Sequence, residues 1–240
     1  MDRIKTGIPG LDDLVQGGIP VGSAVLLSGG AGTGKTIFAT QFIYEGARQF
    51  KEPGLLVSLE ENVKNISWNM ENFNWDIKSL QDKSLLKIYR LNLESLRFSK
   101  TVDEQVEFIN QELETISDMV KELDAKRLVV DSTTALGVWI KEEKSMRGIL
   151  YRFTNALKDF GCTTLLTAET SGMKTSFSAF GVEEFVADSV IALYFSPPNR
   201  SVFVRKMRGT NHSKKVHPFE INEKAILIRS KDEILWDSLK

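Results

Sequence analysis

The stretch Gly29-Gly30-Ala31-Gly32-Thr33-Gly34-Lys35-Thr36 gathers the residue types that hold a chain of phosphates. It fits the pattern G-x-x-x-x-G-K-[ST] at every position. Glycines let the backbone curl until successive N–H groups point inward at an anion, and the positive end of a following helix adds to that field. Lys35 is placed to reach β- and γ-phosphates, and the Thr36 hydroxyl to ligate Mg²⁺. The expected ligand is ATP with Mg²⁺, cradled by Gly30, Ala31, Gly32, Thr33, Gly34, Lys35, Thr36 and Ile37.

Such a site needs a carboxylate beside the cradle, at the end of a neighbouring strand. Leu128-Val129-Val130-Asp131 supplies one, and Asp131 is expected to hold Mg²⁺ through water. Hydrolysis needs in addition a group that orients and deprotonates water near the γ-phosphate. The apolar run 55–59 ends in Glu60-Glu61. In an open parallel sheet, ligands lie beyond the carboxyl ends of the strands, which puts these glutamates on the correct edge. Spacing alone leaves a second reading open, in which the two acids only load the first turn of the next helix.

These residues are carried by an alternation of strand and helix. Apolar runs at 25–28, 55–59, 85–89, 127–131 and 163–168 read as strands. Between them, 36–50, 63–73, 102–123 and 145–160 have helical spacing, clearest for Val106, Ile109, Leu113, Ile116 and Val120. Apolar strands separated by amphipathic helices imply an α/β fold, a mostly parallel sheet flanked by helices. After Ser189 the runs 190–195, 201–206, 215–221 and 225–229 are short and joined by turn residues. They read as antiparallel strands added to one edge of the sheet. With no linker or repeat in view, one domain over 1–240 is the expectation.

Among 240 residues, 31 basic and 32 acidic side chains nearly cancel, so the bulk charge lacks the basic surplus of a duplex-binding protein. The lone Cys162 sits in an apolar run and reads as a buried thiol. The amino terminus begins no apolar signal core, and no segment approaches the ~20 apolar residues of a membrane span. A cytoplasmic protein with no membrane contact is expected.

Five stretches together resemble the KaiC-like ATPases of the RecA/RadA superfamily, in a single-domain form. They are Thr6-Gly7-Ile8-Pro9-Gly10-Leu11-Asp12 with Gly17-Gly18-Ile19-Pro20; the phosphate cradle; Glu60-Glu61 with Phe73-Asn74-Trp75-Asp76; Val130-Asp131-Ser132; and Gly181 to Asp188 leading to Lys206-Met207-Arg208-Gly209-Thr210-Asn211-His212. The similarity runs from about residue 5 to 230, and its last stretch discriminates most, since a generic phosphate-loop protein has no reason to carry it. The resemblance implies a RecA-like core and a hexameric ring with ATP between neighbouring copies. It makes Glu60 the water-activating base with Glu61 in support. It sends Lys206, Met207 and Arg208 to the nucleotide of the adjacent subunit, where cations stabilise the transferring phosphoryl group as an arginine finger does. Thr210 and His212 match positions that touch nucleotide across the interface, and Asn72 a position near the adenine of its own subunit. Trp75 reads as core.

The sequence also departs from the family. Its clock member phosphorylates itself on an adjacent Ser-Thr pair. Here Glu184-Phe185 stand at those positions, which argues against autokinase activity. Ala31 stands where relatives often have proline. Glu169 follows the strand 163–168, where the superfamily often has an amide that senses the γ-phosphate.

The segment 170–180 matches the DNA-binding loop of recombinases, with Lys174, Phe177 and Phe180. One cation is little for an electrostatic groove, so charge does not support single-stranded DNA. Three functions follow: a ring-forming ATPase that drives or regulates a partner, a recombinase paralogue that uses ATP as a switch on single strands, and a slow-turnover signalling scaffold assembled by ATP.

Overall fold

The computed structural model describes residues 1–99, 101–140, 142–170 and 177–235. A short antiparallel ribbon, β1 (Arg3–Ile4) with β2 (Ile19–Pro20), brackets the one-turn helix α1 (Leu11–Leu14). Then β3 (Ala24–Gly29) leads into α2 (Lys35–Glu45), and β4 (Gly54–Ser58) into α3 (Val63–Glu71) and α4 (Ile77–Asp82). β5 (Leu86–Arg90) precedes the long α5 (Val102–Leu123). β6 (Arg127–Asp131) precedes α6 (Leu136–Trp139) and α7 (Glu143–Asp159), and β7 (Thr163–Glu169) precedes α8 (Glu183–Val186). The last strands are β8 (Ser189–Ser196), β9 (Asn199–Met207), β10 (Val216–Asn222) and β11 (Ala225–Ile228).

The main sheet has nine strands in the order β11-β10-β9-β8-β3-β7-β6-β4-β5. Every pair from β8 to β5 is parallel, and every pair from β8 to β11 is antiparallel. This is the expected class, with the antiparallel strands added to one edge as expected. The central strands β3 and β4 are buried at every residue, which is why they read as continuous apolar runs. Successive side chains alternate between two cores. Val25, Leu27, Leu56 and Val129 meet Phe38, Phe42 and Ile43 of α2 on one face. Leu26, Leu55, Leu128 and Val130 meet Ile109 and Ile116 of α5 and Phe153 of α7 on the other. Each such side chain contributes about 1.5–3 kcal/mol by leaving water.

α5 starts where a capping box forms: the Glu104 N–H donates to Thr101 Oγ1 at 3.2 Å while Glu104 Oε2 accepts from the Thr101 N–H at 3.4 Å. Ile109, Leu113, Ile116 and Val120 are its buried residues, as their spacing predicts.

The helix expected over 36–50 is α-helical only to Glu45, and Gly46–Phe50 widen into a π turn. The cause is Arg127, a fully buried side chain. Its guanidinium donates to the Phe42 carbonyl at 2.7 Å, the same carbonyl that accepts from the Gly46 N–H. An inserted donor of this kind loosens the helical ladder. Any side chain at Gly46 would overlap the guanidinium. Glu52 accepts from Arg127 at 2.8 Å and 2.5 Å, and Phe42 packs its ring 4.5 Å away. Burial lowers the Arg127 pKa and the Glu52 carboxylate opposes that shift.

The first stretch of the resemblance turns out to be a clasp. The Thr6 hydroxyl donates to Asp12 at 2.7 Å, and the Ile228 N–H to the Pro9 carbonyl at 2.9 Å, tying the amino-terminal turn to β11. Trp75 is core, stacked on Tyr44 with ring centroids 4.9 Å apart. Cys162 is buried, donates to the Ala125 carbonyl at 3.1 Å, and has its pKa pushed up to about 11 by burial. Among the described residues no helix is long and apolar enough to cross a membrane.

Candidate nucleotide site

Parallel pairing brings the carboxyl ends of β3, β7, β6 and β4 to one edge of the sheet. Gly29 lies opposite Glu169, and Ser58 opposite Asp131. The turn after Gly29 passes through left-handed residues, Gly32 at φ 73° and Gly34 at φ 99°, which favour glycine. Lys35 then opens α2, its side chain buried, with Nζ donating to the Gly30 carbonyl at 3.0 Å. Thr33 Oγ1 closes the same loop on the Gly30 carbonyl at 2.9 Å.

Thr36 and Asp131 meet as their motifs require: the Thr36 hydroxyl donates to Asp131 Oδ2 at 2.8 Å. The other carboxylate oxygen accepts from the Thr167 hydroxyl of β7. A hydroxyl and a carboxylate so close form the donor set that suits a hard divalent cation such as Mg²⁺.

Glu60 and Glu61 follow β4 on the same edge. Asn62, and neither glutamate, caps α3, its side chain accepting from the Asn65 N–H at 2.9 Å. No acid lies in the first turn of that helix, so the reading of these residues as helix-loading acids falls away. The Ser132 hydroxyl, next to Asp131, donates to Glu60 Oε1. Glu61 turns the other way: its N–H donates to Ser58 Oγ at 3.0 Å, and Asn69 Nδ2 donates to its carboxylate at 3.3 Å. Burial, then the charges of Asp131 and Glu60, raise the Glu61 pKa.

Two cavities open here. One of about 330 Å³ is lined by the cradle together with Glu60, Asp131, Ser132, Glu169 and Arg200. The other, about 310 Å³, is lined by Ile66, Met70, Phe73, Asn69, Asn72 and Glu61. Both include Thr36 and Ile37, so they adjoin, and Asn72 belongs to the more apolar one.

Lys206, Met207 and Arg208 lie elsewhere. β9 runs antiparallel to β8, with Met207 opposite Ser189, and Ser189 is in turn opposite Val25. They stand at the amino-terminal end of β3, four residues of strand, about 13 Å, back from Gly29. β9 is an interior strand. Lys206 Nζ donates to the carbonyls of Glu184 at 2.9 Å and Ala187 at 2.7 Å. Burial, then the neighbouring Arg208, lower its pKa. The Met207 side chain is core, so only its backbone can face a ligand. Arg208 is exposed and pairs with Asp188 at 3.3 Å. Burial would raise the Asp188 pKa, but the Ala24 N–H, Lys158 and Arg208 outweigh it and hold the carboxyl below its ordinary range. Thr210 Oγ1 accepts from Arg3 at 3.0 Å, and His212, buried, bonds the Ser213 carbonyl at 2.8 Å and Lys214 at 3.1 Å.

In the recombinase-like segment, Phe177 and Phe180 pack against the second core, and Phe177 lies under Arg205 at 5.6 Å. Lys174 lies outside the described residues. The sequence reading missed Thr167, Ser132 as a partner of Glu60, and Arg200. Arg200 donates to the Gly32 carbonyl at 3.2 Å and sits 4.3 Å over the Phe195 ring. Thr167 is one of three threonines in the run 163–168, so its residue type did not single it out.

Comparison with known proteins finds relatives of this chain. The family model for the ATPase KaiC matches residues 4–233. A UPF0273 protein of Pyrococcus horikoshii is 37% identical over 94% of this chain and 93% of its own length. The circadian clock oscillator protein KaiC of Parathermosynechococcus lividus is 35% identical over 93% of this chain, which spans 42% of that longer protein. A crystal structure of a KaiC-like protein from Pyrococcus horikoshii superposes with a TM-score of 0.83 at 39% identity, covering 95% of this chain and 98% of that one.

Proposed function

This chain belongs to the KaiC ATPase family, and from that premise we propose that it hydrolyses Mg·ATP at the interfaces between copies of itself in a ring. ATP binding by a phosphate-loop domain is the family's common property. The observation that carries it is the convergence of Lys35, Thr36, Asp131 and Glu60 on one sheet edge, with Thr36 and Asp131 2.8 Å apart.

Mg²⁺ would be held by Thr36 and, through water, by Asp131, and would offset charge on the phosphates. The protein's own groups do the rest. The cradle N–H groups and Lys35 orient the β- and γ-phosphates. Glu60, held by the Ser132 hydroxyl, accepts a proton from the water whose oxygen bonds to the γ-phosphorus as the bond to the β-phosphate oxygen breaks. Glu61 supports it from the apolar side, and the cavity containing Asn72 takes the nucleoside. Lys206 and Arg208 lie too far from the cradle of their own chain to reach its γ-phosphate. We assign them, with Met207, Thr210 and His212, to the nucleotide of a neighbouring copy in a six-membered ring formed by one domain per chain. The ring acts in the cytoplasm on a protein partner.

Light scattering with and without Mg·ATP, run beside phosphate release, tests this. The expected result is ATP-dependent assembly, with turnover that disappears in Arg208→Ala. A monomer whose turnover survives that substitution would overturn the shared site.

A further inference from the structure

Of the three described acids that line the cradle cavity, two are occupied with a hydroxyl. Asp131 accepts from Thr36 and Thr167, and Glu60 from Ser132. Glu169 instead faces Lys35, with Oε1 3.7 Å from Nζ. Its backbone is pinned: the Glu169 N–H donates to Thr134 Oγ1 at 2.8 Å, and its neighbour Thr170 donates to the Gly29 carbonyl at 3.3 Å. The carboxylate is therefore anchored at the start of the phosphate loop, half-exposed, against an ammonium that is only 10% exposed. Among the described residues, the cradle cavity is lined by three carboxylates, Glu60, Asp131 and Glu169, and two cations, Lys35 and Arg200.

We propose that Glu169 is a specificity-determining residue of the phosphate site, a fixed negative charge that competes with the terminal phosphate for Lys35 and so narrows the preference for nucleoside triphosphate over diphosphate. The inference rests on the nucleotide reading of the cradle given above. Lys35 carries one positive charge, and Glu169 already screens it. A third phosphate adds about one negative charge directed at the same ammonium. The carboxylate thus opposes a triphosphate more than a diphosphate. Ion pairs between exposed groups are weak, about two- to fivefold in an equilibrium constant. The buried Lys35 end is screened less than that. A change of roughly three- to tenfold follows.

The test is calorimetric titration of ADP and of a non-hydrolysable ATP analogue, both with Mg²⁺, into wild type, Glu169→Gln and Glu169→Ala. Both substitutions remove the charge, and Gln keeps the shape. The ratio of triphosphate to diphosphate affinity is expected to rise roughly three- to tenfold in both variants at low salt. At about 1 M salt the gain should shrink but persist, because the buried end of the pair is screened less. An unchanged ratio, or equal changes for the two nucleotides, would overturn the role of Glu169. If wild type binds neither nucleotide, the nucleotide reading itself fails, and that outcome is distinct from the first.

Discussion

The two edges of the sheet hold their charged groups in different ways. At the cradle edge the acids are held by side chains: Thr36 and Thr167 grip Asp131, Ser132 grips Glu60, and Glu169 faces Lys35. At the opposite edge the cations are held one by backbone and one by a carboxylate. Lys206 is fixed by two carbonyls at the end of α8, and Arg208 pairs with an Asp188 that itself accepts from the Ala24 N–H at 3.1 Å. The first arrangement is built to place groups around a ligand in the same chain. The second holds a lysine in place and leaves an arginine 61% exposed, at the far end of the strands from its own chain's cradle. Arg208 shares a surface pocket with Tyr151 and Phe185, which are themselves exposed.

The largest effect should come at the cradle edge. Glu60→Gln keeps the Ser132 contact but cannot take a proton, so turnover should fall about 10²–10⁴-fold while ATP still binds, as measured by phosphate release beside calorimetry. Normal turnover in that variant would remove Glu60 from the mechanism.

Next comes the far edge. Arg208→Ala should lower turnover about 10³-fold, in the range of other arginine fingers. Mixing Arg208→Ala with Lys35→Ala chains should recover part of the lost activity, because some interfaces then pair an intact cradle with an intact arginine. Absence of any recovery would place both edges within one functional unit and erase the contrast.

A smaller effect is expected for Asp188→Asn, which releases Arg208 without deleting it. Turnover should fall about tenfold, less than for Arg208→Ala. The folded-state pKa of Asp188 is depressed, so its contribution to stability is present above the ordinary carboxylate pKa and is lost as pH falls through the depressed value. The Asn variant should therefore melt lower than wild type at pH 7, with the gap closing toward pH 2. A constant gap would mean that the Asp188 charge is not what holds the arm.

The smallest effect belongs to Glu61. Its folded pKa is raised, so its ionisation costs stability as pH rises from the ordinary carboxylate pKa through the raised one. Glu61→Gln should raise Tm by about 1–2 °C at pH 7 and by nothing near pH 3. A variant that melts lower at pH 7 would show that the crowding of Glu61 with Asp131 and Glu60 is offset by contacts the amide cannot make.

Legibility in the sequence followed the same division. Local constraints were readable. A glycine-rich turn before Lys35-Thr36, apolar runs buried on both faces, the helical spacing within α5 and an acid ending β6 each depend on neighbours a few residues apart. The short pieces β1, β2, α4, α6 and α8 were not, because elements of two to six residues carry too little periodicity to declare themselves. The end of α2 was equally hidden, since the guanidinium that widens its last turn comes from a strand 85 residues further on.

By itself, then, the sequence determined the phosphate cradle, the order of the longer strands and helices, the acids that follow β4 and the acid that ends β6, because turn chemistry and side-chain periodicity are properties of adjacent residues. Tertiary structure alone decided how far Lys206 and Arg208 stand from the cradle of their own chain. Strand direction does this: parallel pairing gathers Gly29, Glu169, Asp131 and Ser58 at one end, while the single reversal between β8 and β9 carries Lys206 and Arg208 to the other.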